Sequence, residues 1–187
     1  DYGAMRLQRD LLSKSPDFVV VDFAVNDAAT NTQFTESYEG VVRQILNAPQ
    51  KPALLLLFMC KGDGTCAQAQ EAPVGTHYSL PMISYRDAIW PEIQAGRLKW
   101  EQISPDNIHP NDKGHLLTGE LIGGLLDKAY KKFSPDHIPA VSSTIPAPLI
   151  SDYFEFTSLF DGQDQTLVPT TRSEEHTSEL QSRQSIS

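Results

Sequence analysis

The chain has 187 residues, 40% of them hydrophobic and 21% charged, enough for one ordinary domain with its own core. A net charge of -9 excludes a nucleic-acid binder, whose surface must be basic to meet phosphates. The longest apolar run, Ala53 to Cys60, is strand-sized and too short to cross a bilayer, so no membrane partner is expected.

From the start, Met5, Leu7, Leu11 and Leu12 recur at mostly helical offsets ahead of Pro16, which predicts a helix over Asp1 to Ser13. Phe18 to Phe23 is a short β-branched run and reads as a buried strand. Thr35 is placed to cap a helix whose apolar face is Tyr38, Val41, Val42, Ile45 and Leu46. That helix should end at Asn47-Ala48-Pro49. Ala53 to Met59 reads as a second buried strand, and Lys61 to Thr65 as a glycine-bearing loop.

A short helix over Glu71 to Ser79 is expected to be interrupted by Pro73 and Gly75. Pro81 to Ser84 reads as a third strand, and Asp87 as the cap of a helix over Ala88 to Ala95. Asp112 opens a long amphipathic helix through Leu116, Leu117, Leu121, Ile122, Leu125, Leu126 and Tyr130. Lys128, Lys131 and Lys132 suit its negative end. Helices alternating with strands in this way predict an α/β fold, a parallel sheet covered on both faces.

The texture changes after Phe133. Residues 134–149 contain Pro135, Pro139, Pro146 and Pro148 and read as a linker, with Tyr153 to Phe156 opening a β-domain. From Arg172 onward the polar run resembles the translation of a sequencing-adapter oligonucleotide and stands outside the fold. The expected organisation is therefore 1–133, 134–171 and a non-native tail over 172–187. Cys60 and Cys66 are too sparse for a zinc site and read as free thiols or a loop disulfide.

Two constellations can carry chemistry. Asn26 follows the first strand directly, where ligands bind in parallel sheets, and its amide can donate to a developing oxyanion; it can equally just shape a turn. Asp106 precedes His109 by three residues, close enough to orient Nδ1 and leave Nε2 free as a base. Pro110 separates that histidine from the long helix. Asp106, His109, Asp112 and His115 also raise a metal site, but Pro110 keeps them off one helical face. His77 and His137 have no partners in the sequence and read as surface residues.

Together these motifs resemble the SGNH hydrolase family. Its Gly-x-Asn-Asp block is matched by Ala24-Val25-Asn26-Asp27, with alanine replacing glycine, and its Asp-x-x-His-Pro block by Asp106, His109 and Pro110. Leu80 to Asp87 looks like that family's strand ahead of the last block, and the resemblance extends over Asp1 to Phe133. It implies a three-layer flavodoxin-like sheet whose first two strands would precede this chain. It also implies a serine esterase in which Asn26, Asp106 and His109 are catalytic. The substrate would be a small or carbohydrate ester such as an acetylated sugar, with no cofactor. Its nucleophile belongs to a Gly-Asp-Ser block, and no Gly-Asp-Ser occurs in this chain. The serine is therefore expected upstream, and the chain alone is expected to be inactive. The rival readings are a catalytically silent carbohydrate-binding or scaffolding module on the same fold, or a metal-dependent hydrolase.

Overall fold

The computed structural model of the chain describes residues 2–27, 31–133, 144–157 and 159. β1 (Phe18–Val21), β2 (Ala53–Phe58) and β3 (Met82–Ser84) form one parallel sheet in the order β1-β2-β3. Phe18 pairs with Ala53 and Val21 with Leu56, while Leu56 and Phe58 pair onward with Met82 and Ser84. Parallel neighbours require crossovers, which α2 (Thr32–Asn47) and α3 (Gln68–His77) provide. This parallel order is compatible with a flavodoxin-like sheet.

Side chains alternate along a strand, so β2 serves two cores. Leu54, Leu56 and Phe58 meet α1 (Tyr2–Asp10), α2 and α3 through Leu7, Val41, Val42, Ile45 and Val74. Leu55 and Leu57 meet α4 (Tyr85–Gln94) and α5 (Asp112–Lys132) through Ile89, Leu117, Leu121 and Leu125. β2 is thus covered on both faces, giving three layers.

Several boundaries differ from the sequence reading. β1 ends at Val21 rather than Phe23, because the backbone turns there: Asn26 and Asp27 both donate to the Phe23 carbonyl. Asn31 and Ser84 cap α2 and α4 in place of Thr35 and Asp87, while α5 opens at Asp112 as read, capped by Asn111. A cap accepts from an N–H two or three residues ahead, so it stands just outside the helix. Asp87 and Asp112 fall in first turns, where their charge still suits the positive helix end. Pro73 does not interrupt α3, whose buried Glu71 and Val74 tie it to the body of the fold.

Residues 144–157 fold back over α2, and Tyr153 to Phe156, read as the opening of a β-domain, form a turn. Glu39 of α2 is fully buried and accepts backbone N–H groups from Leu149, Ile150 and Ser151 at 2.6, 2.8 and 3.0 Å. The Tyr78 hydroxyl donates to the same carboxylate at 2.6 Å. Burial alone would raise this carboxyl, but the Tyr78 hydroxyl and the three N–H groups outweigh it and bring it below its ordinary range. Four residues on, Arg43 pairs with Glu155 at 2.7 Å, both side chains under 10% exposed. Phe154 packs over Gly40, where an added methyl would come within 2.3 Å of the Phe154 Cβ. His77 also gains a partner, its Nε2 lying 2.8 Å from the Ala147 carbonyl. The remainder of the anticipated β-domain, the adapter-like tail and His137 lie outside the described residues.

One face of β1 stays open. Val19 and Val21 are buried, whereas Phe18 and Val20 on the α5 side are 40% and 39% exposed, and the outer edge pairs with no described strand. An open apolar edge invites other chains. Val20→Lys should reduce concentration-dependent light scattering while changing stability by no more than about 0.5 kcal/mol. Unchanged association in Val20→Lys would place the sticky surface elsewhere.

Candidate active site

Both constellations sit beyond the carboxyl ends of the strands. The turn after β1 carries Asn26, and the loop ahead of α5 carries Asp106 and His109. They meet at one open cleft of about 300 Å³, lined by Asp22, Asn26, His109 and His115 over Leu57 and Met59. Asn26 and His109 thus face the same space, although 83 positions separate them in the chain.

The histidine loop is organised around Asp106. Its Oδ1 accepts the backbone N–H groups of Ile108 and His109, both at 2.7 Å, and its Oδ2 lies 2.9 Å from His109 Nδ1. An ionised aspartate can only accept, so Nδ1 carries a proton, and in the neutral ring the lone pair is at Nε2. The N–H of His109, then that of Ile108, then the imidazole, hold Asp106 down at about 2. Both side chains are largely open to solvent, at 76% for His109 and 52% for Asp106, so the pair orients the ring rather than stabilising the fold. The depressed value means that this pairing is complete above the ordinary aspartate range and is lost as pH falls through about 2. The Asp106–His109 pair should therefore keep its geometry at any mildly acidic pH. An NMR titration of the His109 ring that showed loss of the Nδ1 contact near pH 5 would contradict this.

The loop is braced from behind. The Ser104 hydroxyl lies 2.7 Å from the carbonyls of both Asp106 and His109, and Trp100 Nε1 donates to Asp106 O at 2.6 Å. Gly62 N donates to Asn107 O at 2.9 Å. Gly114 lets α5 start against this loop, because a Cβ there would lie 2.3 Å from Ile103 O. These contacts hold the backbone of the loop on several sides and so fix where the His109 ring can stand.

On the other wall, the Asn26 turn is tied to the start of α3 by Ala67 N donating to Ala24 O at 2.7 Å. Asp22 is open to the cleft, yet partial desolvation raises its carboxyl against the pull of the Met59 and Ala24 N–H groups. Three residues at or behind the site escaped the sequence reading. Asp22 had a signal, standing at the end of a strand, and so did Ser104, two residues before Asp106. Glu71, buried behind the turn, had none.

The four residues considered for a metal do not converge. Among the described residues no group of three or more His, Cys, Asp or Glu side chains is placed to hold one. Asp112 takes the first turn of α5, while His115 reaches the cleft beside His109. Cys60 and Cys66 are free thiols, and burial followed by the neighbouring Cys66 pushes Cys60 up to about 12, which makes it unreactive. No described helix is long and apolar enough to cross a membrane.

Two solved structures resemble the chain over 81% of its length. One is a two-domain esterase (CEX) active on acetylated mannans, co-crystallised with mannopentaose, at 40% identity and a TM-score of 0.72. The other, described in the same terms without the sugar, gives 39% identity and a TM-score of 0.75. This chain is similar in sequence and fold to a carbohydrate esterase. It spans only 39% and 40% of those two chains, respectively. No family model and no curated protein matches it.

Proposed function

We propose that the chain carries the base and oxyanion-donor half of a serine-type carbohydrate acetyl esterase of the SGNH class. The observation that carries this reading is the oriented Asp106–His109 pair, 2.9 Å apart, opening onto the same cleft as Asn26. Similarity to an esterase active on acetylated mannans supports an acetylated polysaccharide as substrate. In this reading a serine outside the present sequence attacks the acetyl carbonyl. His109 Nε2 takes its proton and later returns it to the departing sugar hydroxyl. Asp106 fixes the tautomer and stabilises the imidazolium, and the Asn26 amide donates to the oxyanion. Water then releases acetate from the acyl-enzyme by the same base.

The test is acetate release from acetylated manno-oligosaccharides. The protein containing both this chain and its upstream segment should hydrolyse them and be blocked by a serine-directed inhibitor. Residues 1–187 alone should show no acyl-enzyme burst with an activated acetyl ester. Chelator-sensitive turnover that resists the serine-directed inhibitor would overturn the reading.

A further inference from the structure

Behind the Asn26 turn lies a group of acids that the proposed mechanism does not use. Glu71 of α3 is 1% exposed, and neither of its carboxyl oxygens meets a hydrogen-bond donor among the described residues. The Tyr38 hydroxyl, on α2 and also 1% exposed, has no partner either. The charges bearing on Glu71 are those of Asp27, in the Asn26 turn, and Asp22, at the end of β1. Both are acidic. Among the described residues no cation or donor meets the Glu71 carboxyl, and a buried carboxylate left so beside two others would be far costlier than the native fold can sustain.

One proton resolves the conflict. Two carboxylates can only accept, so they repel; if one is the neutral acid it donates to the other, and both are satisfied. The deeper partner should carry the proton. Glu71 is the more enclosed, whereas Asp27 is partly exposed to water, which favours its charged form. We infer that Glu71 is a positioning residue, a neutral acid that donates to Asp27 and so fixes the turn presenting Asn26 to the cleft. The catalytic meaning of that turn rests on the esterase reading; the proton and its location do not.

Burial, then the Asp27 and Asp22 charges, push Glu71 up to about 8. The sign follows from linkage. Between the ordinary glutamate range and about 8, the unfolded chain loses this proton while the folded chain keeps it, so stability declines as pH rises and levels off above about 8. Asp22 and Asp27 are raised as well and add to the decline at its lower end. The amide introduced by Glu71→Gln supplies the same donor without a titratable proton. Glu71→Ala removes the donor and leaves Asp27 unpaired.

The experiment follows the Asn26 side-chain amide by NMR from pH 5 to 9, with thermal unfolding over the same range. In the unsubstituted chain the Asn26 resonances should shift with a midpoint near 8, and the melting temperature should fall by several degrees across the range. Glu71→Gln should leave Asn26 stationary near its neutral-pH position, with a flatter melting profile. Glu71→Ala should displace Asn26 at every pH. Asn26 resonances that titrate identically in Glu71→Gln, or that do not move in the unsubstituted chain, would overturn the inference. Neither readout requires turnover, so a failure of the esterase reading would leave this result standing.

Discussion

Replacing His109 by alanine should lower acetyl-ester turnover by about 10⁴-fold in the protein that joins this chain to its serine. The reason lies in the geometry of the loop. Asp106 Oδ2 accepts from His109 Nδ1 across 2.9 Å, so in the neutral ring the lone pair is at Nε2, on a residue that lines the cleft. Without it, the serine hydroxyl must lose its proton to water and the leaving sugar hydroxyl has no acid. The loss should fall on kcat, because an exposed ring at the reacting centre contributes little to substrate binding. Asp106→Asn should be nearly as damaging while preserving shape, since an amide can donate to Nδ1 and favour the wrong tautomer. Asn26→Ala should cost less, about 10²- to 10³-fold, as one donor among several at the oxyanion. Steady-state kinetics on an acetylated manno-oligosaccharide read all three. An Asn26→Ala variant more impaired than His109→Ala would invert the roles assigned to them.

The second large effect is on stability. Glu155→Ala should destabilise the chain by about 3–5 kcal/mol, because it strands the buried Arg43 guanidinium without its carboxylate. Arg43 also donates to Tyr78 Oη at 2.9 Å and to Pro146 O at 2.8 Å, and these contacts do not neutralise its charge. The same glutamate accepts from Asn47 Nδ2 at 2.6 Å, so one substitution loosens two ties between the 144–157 segment and α2. Replacing both Arg43 and Glu155 by methionine should recover much of the loss, since the charge and its partner leave together. Equilibrium urea unfolding measures each variant. A Glu155→Ala chain as stable as the original would mean that this segment does not close over α2 in solution.

That segment shows where sequence reading stops. The 3.6-residue period marks Tyr38, Val41, Val42, Ile45 and Leu46 as the inner face of α2, and all are buried but Leu46, which is half-buried. The same period assigns Glu39, Arg43 and Gln44 to the outside, yet they are buried too. Each has a partner more than 100 positions away, in a stretch that reads as a linker and the start of a separate domain. Charge burial of this kind depends on tertiary pairing, and local pattern carries no trace of it. The strands and the histidine loop were legible because their causes are local. β-branched runs need a buried sheet, and an aspartate three residues before a histidine can reach Nδ1 within a single loop. Asn26 was legible by position, as the end of a parallel strand. Glu71 was not, because a glutamate inside a helix ordinarily faces water.

The most direct measurement is covalent labelling of the longer protein with a fluorophosphonate, followed by peptide mapping. The adduct should sit on one serine outside residues 1–187, and His109→Ala should slow its formation by orders of magnitude. An adduct on a serine within these residues, or labelling indifferent to His109, would contradict the assignment of this chain as the base-bearing half of the site.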